Sequence, residues 1–234
     1  MSRREELAAS LDAVRRRVDV AAAAAGRDPG ELVLVVVTKT FPAEDVRLLA
    51  GLGASDVGES REPEASAKAE ACADLPLRWH QVGQVQTNKA AAVARWADVV
   101  HSLDRPRLVQ ALSRAAERAG RELGCFVQVD LGGGPGEIGA RAGAAPADLR
   151  AFADDVAGAA GLRLDGVMAV APRDADPAAA FATLAELAAA VRADHPGARS
   201  LSAGMSGDLE AAVAAGATHL RVGRAVLGTR PLVQ

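Results

Sequence analysis

Apolar and polar positions along this chain follow two periods in turn. Leu7, Leu11, Val14 and Val18 step by four, three and four, which draws one apolar stripe along a leading helix that Gly26 and Pro29 end. LVLVVVT, residues 32–38, is then an unbroken β-branched run, the pattern of a strand covered on both faces in a parallel sheet. A helical stretch follows Pro42 and stops near Gly53, and a small strand spans residues 55–58. Further helices are predicted over 61–72, 87–96, 105–121, 146–159, 177–193 and 208–215. They separate strands over 77–82, 98–101, 125–129, 162–168, 199–202 and 219–222, with Gly124 just before the fifth of the chain's strands.

Eight strands, each but the last followed by a helix, imply right-handed parallel crossovers. The expected fold is an α/β (β/α)8 TIM-type barrel with an extra N-terminal helix (residues 1–26) packed on it, residues 1–234 forming one domain. A doubly wound open sheet competes, but its G-x-G-x-x-G turn is absent, because TKTFPAED follows the first strand. The stretch from Gly132 to Gly139 reads as a loop after the fifth strand, and a short tail follows the eighth.

Composition narrows the functional classes. The 27 basic and 30 acidic residues leave a charge of −3, too near neutral for a polyanion-binding surface. Four Phe, two Trp and no Tyr exclude a stacking platform for single-stranded nucleic acid and any mechanism that needs a tyrosine of this chain. Cys72 and Cys125 lie far apart, and His80, His101, His195 and His219 lack paired-ligand spacing, so neither a disulfide framework nor a metal site is expected. The charged start and the absence of a long apolar run point to a cytoplasmic protein that does not touch a membrane, and a monomer is expected.

In such a barrel the working groups stand at the carboxyl ends of strands. Those ends carry Lys39, Glu59 with Ser60, His80, Met168, Ser202 through Asp208, and Arg221 through Arg224. Lysine is scarce here, at three residues (Lys39, Lys68 and Lys89) against 24 arginines, so it is not the general surface cation. A desolvated lysine can offer a neutral amine to a carbonyl compound, which arginine cannot. Lys39 is therefore a candidate Schiff-base residue, against the alternative of a strand-exit lysine reaching for solvent. SAGMSGDLEAA puts Ser206 directly before a helix, and RVGR ends the last strand with Gly223, a pair of loops that often forms a phosphate site in barrels. Helix capping by Ser206 or Asp208 is the plainer alternative. Together, a carbonyl-reactive lysine and an anion cup suggest a phosphorylated aldehyde or ketone. Asn88 falls where a helix begins, so capping and solvation explain it locally. Asp154–Asp155 and the Arg15–Arg17 run read as solvated helix faces.

The motifs VVVTKTFP, VGES, WHQVGQVQTNK, HSLD, GVMAVAP, LSAGMSGDLEAAVAAGATHLRVG and AVLG, in order from residue 32 to 228, resemble those of the pyridoxal phosphate homeostasis proteins. That family consists of single-domain barrels similar to the amino-terminal domain of alanine racemases. The resemblance implies that pyridoxal phosphate (PLP) is the cofactor and that Lys39 forms its internal aldimine. It implies further that Ser206 and the backbone at Gly223 and Arg224 hold the phosphate, that Arg221 faces the pyridine nitrogen and that Met205 lies nearby. Glu59, Ser60, His80, Asn88, Met168 and Ser202 complete a possible pocket. The implied role is non-catalytic: PLP homeostasis, with PLP-dependent apo-enzymes as candidate recipients of the cofactor. A racemase-like PLP enzyme is the first alternative, and a cofactor-free lyase acting on a sugar phosphate through Lys39 is the second.

This sequence departs from the family pattern in four places. Ser60 stands where the family has Asn. Asp130 and Glu137 stand where it tends to have Asn and Lys, and Arg224 where a Thr or Ser is common.

Overall fold

Eight short parallel strands pair in sequence order and close on themselves in the computed structural model, which describes residues 1–132 and 143–229. They are β1 (Val33–Val37), β2 (Asp56–Glu59), β3 (Arg78–Gln81), β4 (Val99–Leu103), β5 (Leu123–Gln128), β6 (Leu162–Met168), β7 (Ser200–Ser202) and β8 (His219–Val222). Closure is set by β8 against β1, with Val33, Leu34, Val35 and Val36 opposite His219, Leu220, Arg221 and Val222. The barrel therefore replaces the open-sheet alternative. Seven helices make the crossovers: α2 (Ala43–Ala50), α3 (Glu64–Ala71), α4 (Ala90–Trp96), α5 (Pro106–Ala119), α6 (Leu149–Ala157), α7 (Pro177–Asp194) and α8 (Leu209–Ala214), after the leading α1 (Arg3–Ala24).

After β8 the chain makes one further helical turn, α9 (Arg224–Leu227), where the sequence suggested only a tail. Four residues cannot cover a barrel face, and α1 takes the place of the missing outer helix by packing on α8, α9 and α2. A capping box between Ser2 and Glu5 starts α1, satisfying two backbone donors. Its stripe of Leu7, Leu11, Val14 and Val18 is buried as the spacing predicts, at about 1.5–3 kcal/mol for each fully buried side chain. Arginines hold the helix at the edges of that stripe. Arg3 donates to Asp45 of α2 and to the carbonyl of Leu227, and Arg15 to the carbonyls of Leu52 and Gly53. Arg17 donates to the carbonyl of Ser206 and to Glu210. The expected solvated face at Arg15–Arg17 is thus partly a seam between α1 and the barrel. At the other predicted solvated face, Asp154 pairs with His195.

Gly124 lies inside β5 and not before it. A Cβ there would fall 2.2 Å from Asp165 Oδ2 and 2.9 Å from Arg163 Nη2, so the ion pair on β6 needs a glycine opposite it. The predicted helices over 87–96 and 146–159 each open as a 3-10 turn before becoming α-helical. Cys72 and Cys125 are both buried and free.

Candidate functional site

Strand parity sorts the predicted residues into two groups. On β1, Val36 packs toward the helices while Val35 and Val37 face inward, so Lys39, two residues past the strand, leaves on the inward parity. Val35 pairs with Arg221 on β8, which places the lysine-bearing segment and the arginine on adjacent strands. Gly223 closes the gap between them, because a Cβ there would lie 3.1 Å from the carbonyl oxygen of Val37. Ser206 Oγ accepts the Ala225 N–H at 3.2 Å, and Arg221 N–H donates to the Gly204 carbonyl at 2.9 Å. Those two bonds tie the loop after β7 to β8 and to α9. Asp208 does not cap α8 with its side chain; its Oδ1 accepts the N–H of Met205 at 2.6 Å and shapes the loop. Lys39 and Ser206 are half-buried, while Met205 and Arg224 are exposed at the rim.

Arg221 is 5% exposed, donating to Ser202 Oγ and, at 2.9 Å, to the carbonyl of Ala169. Among the described residues no carboxylate forms an ion pair with it. Burial lowers its pKa to about 10, which leaves it a cation at neutral pH. A buried cation lacking an anion is costly unless something supplies acceptor atoms. Met168 lies inside the barrel with Val99 and Phe126 and forms an apolar wall.

Two expected pocket residues are placed elsewhere. Gly58 faces the interior beside Val35 and Val37, so its neighbour Glu59 is turned outward, between β2 and α3. There Glu59 Oε1 accepts from Lys68 Nζ and from Thr38 Oγ1, both at 2.6 Å. His80 lies within the barrel, below the mouth, bonded to Asp56 and to His101 at 2.9 Å each. Ser202 lies beside them, bonded to His101 Nδ1 at 2.8 Å. Asn88 is exposed on the 3-10 turn Thr87–Lys89, and Ser60 packs against Gly83, where a Cβ would come within 2.6 Å of it. Asp130 turns its Oδ1 to the N–H of Gly132 at 3.0 Å. Glu137 and the rest of the expected loop beyond Gly132 lie outside the described residues, as do residues 230–234 of the tail.

Sequence reasoning missed the clamp around Lys39. Lys68, with a side chain 4% exposed, donates to the Thr38 carbonyl at 3.0 Å, to Glu59 at 2.6 Å and to Glu64 at 3.1 Å. Glu64 Oε1 also accepts the N–H of Thr40 at 2.6 Å. Thr40 has φ 69°, a left-handed backbone that costs a threonine energy and persists only when its surroundings enforce it. Both neighbours of Lys39 are thus fixed by one buried charge cluster. The signal in the sequence was a second rare lysine, four residues after Glu64 and nine after Glu59. The missed partners Asp56 and His101 share the inward parity of their strands, which is the pattern that could have found them.

Fold and site together define a barrel of the alanine racemase N-terminal class. The family described as "Alanine racemase, N-terminal domain" matches residues 9–231. An alanine racemase from Corynebacterium glutamicum superposes with a TM-score of 0.66 at 17% identity, covering 95% of this chain and 62% of that one, a likeness of fold alone. The "Pyridoxal phosphate homeostasis protein" of Mycobacterium bovis is 46% identical over 246 residues, spanning 98% of this chain and 95% of that protein. PipY of Synechococcus elongatus, solved with PLP bound, has a TM-score of 0.80 at 32% identity over 95% of this chain and 100% of its own. The chain belongs to the pyridoxal phosphate homeostasis protein family.

Proposed function

We propose that this protein binds pyridoxal phosphate at the mouth formed by β1, β7 and β8, and that it holds and supplies the cofactor instead of turning over a substrate. The observation that carries the reading is Arg221, a buried guanidinium that forms no ion pair with a carboxylate among the described residues, one strand away from the segment bearing Lys39. A guanidinium donor suits an unprotonated ring nitrogen, and the loops at Ser206 and Gly223 suit an anionic ester. When bound, PLP supplies an aldehyde that condenses with a lysine amine and releases water.

The chain's own residues divide the work. Lys39 is the covalent anchor, its neighbours Thr38 and Thr40 fixed by Lys68 and Glu64. Ser206 and the backbone at Gly223 and Arg224 face the phosphate, Met168 and Met205 supply apolar contact, and Arg221 faces the ring nitrogen. An arginine in that place keeps the nitrogen unprotonated and weakens the ring as an electron sink, which favours storage over carbanion chemistry. A racemase mechanism also needs a second base opposite the lysine, and this chain has no tyrosine to serve.

The test is an absorbance spectrum before and after adding PLP, followed by borohydride reduction and peptide mapping. One pyridoxyl group on Lys39, absent in Lys39→Ala, is the expected result. A label that survives Lys39→Ala refutes the anchor, and a protein that stays colourless with excess PLP refutes the binding. Deuterium exchange at the α-carbon of amino acids, abolished by Lys39→Ala, would overturn the storage role.

A further inference from the structure

Five polar side chains stand in single file through the barrel interior, where branched apolar layers are the norm. Arg221 donates to Ser202 Oγ; Ser202 Oγ lies 2.8 Å from His101 Nδ1. His101 Nε2 lies 2.9 Å from His80 Nδ1, and His80 Nε2 lies 2.9 Å from Asp56 Oδ1. Asp56 opens β2, at the end of the barrel away from the Lys39 segment, and its side chain is 14% exposed. Phe126 stacks on His101 with ring centroids 4.5 Å apart and meets His219 edge-on, which packs the His101 ring of the file against an aromatic face.

The chemistry of the two ends fixes the direction of every bond between them. A guanidinium can only donate, so Ser202 Oγ accepts from Arg221; with the carboxylate of Asp56 drawing the protons of two neutral rings onto their Nε2 atoms, His101 Nδ1 is left an acceptor and takes the Ser202 proton. His101 then carries its proton on Nε2 and donates to His80 Nδ1. His80 in turn carries its proton on Nε2 and donates to Asp56, which as a carboxylate can only accept. Burial disfavours the charged form of both rings, and for Asp56 the bonds from His80 and Ser55 outweigh the burial that would raise its pKa. The other charged or titratable groups acting on these rings are His219, Arg78 and Asp98.

We infer that Asp56, His80, His101 and Ser202 are positioning residues, forming a one-way donor chain that orients the Arg221 guanidinium toward the cofactor ring. The file runs between opposite charges through two neutral imidazoles of one tautomer, so each bond reinforces its neighbours. The inference builds on the proposed PLP site, but its first test does not.

Long-range ¹⁵N–¹H spectra of the ligand-free protein at neutral pH report each imidazole's tautomer, with His80→Gln and His101→Gln used only to assign signals. Both rings are expected neutral with the proton on Nε2. A proton on Nδ1 of either ring, or an imidazolium, overturns the chain whatever PLP does. The second test loads PLP onto Ser202→Ala and Ser202→Thr after melting curves show both folded. The alanine variant is expected to shift the absorbance maximum of the loaded protein and weaken PLP binding about tenfold, the worth of one hydrogen bond to a charged group. The threonine variant, which keeps the hydroxyl, is expected to recover most of both. Asp56→Asn, far from the pocket, should move the same maximum in the same direction. Spectra and affinities unchanged in Ser202→Ala and Asp56→Asn overturn the positioning role. A parent protein that takes up no PLP refutes the function proposed above, and the donor chain is then decided by the tautomers alone.

Discussion

Replacing Lys68 with methionine removes one charge and keeps most of the volume. The lysine is buried with Glu59, whose side chain is fully buried, and all of its ammonium donors are engaged: the Thr38 carbonyl, Glu59 and Glu64. Removing one partner of a buried pair leaves the other as an uncompensated charge, a loss of about 3–5 kcal/mol. For a chain of this size that is a melting temperature lower by roughly 6–20 °C. Burial already pushes Glu59 above the usual carboxylate range, and the bond from Lys68 is the largest influence holding it down. Without Lys68 the carboxyl takes up a proton in the folded state at higher pH than in the unfolded chain. Its penalty is then present at high pH and relieved as pH falls through that raised folded value.

Urea unfolding of the wild type and Lys68→Met at pH 8 and pH 5.5 measures this, and the deficit should be smaller at the lower pH. Adding Glu59→Gln to Lys68→Met should recover part of the loss, because the stranded charge is gone. The variant should also take a borohydride label at residue 39 more slowly, since the Thr38 and Thr40 supports slacken. A loss below about 1 kcal/mol, or one equal at both pH values, would refute the account of a buried charge clamp.

Stability should also fall on acidification. Burial lowers the pKa of His80, His101 and His219, the last to about 3, so the unfolded chain binds protons below about pH 6.5 that the folded chain refuses. Their stabilisation is complete above that pH and is lost downward at up to about 4 kcal/mol per pH unit for three rings. Glu59 opposes this slightly, and Asp56, held below its usual value, adds its own loss only at lower pH. A midpoint that stays flat between pH 7 and 4.5 would contradict it. Gly166→Ala should prevent folding or cost more than about 4 kcal/mol by thermal or urea unfolding, because the added Cβ would lie 1.8 Å from the Ser200 carbonyl oxygen at φ 157°. A well-folded, normally stable Gly166→Ala protein would show that β6 and β7 can move apart.

Periodicity along the chain was enough to determine the strand and helix order up to β8 and the packing stripe of the leading helix, while the choice of a closed barrel over an open sheet rested on the pairing of β8 with β1. The order and the stripe depend on local burial patterns, which repeat every two or 3.6 residues whatever lies across the core. The unusual lysine at the end of the first strand and the small-residue loops after the last two were legible for the same reason, since position on a barrel strand decides exposure at the mouth. Only the tertiary structure decided which way Glu59 and His80 turn, because a shift of one residue in parity moves a side chain from barrel interior to helix layer. It also brought Lys68 onto the carbonyl of Thr38, 30 residues away in sequence, and His101 onto Ser202, 101 residues away. Such contacts arise from strand register and barrel closure, which no local pattern encodes. They turn scattered polar residues into supports for one lysine and one arginine.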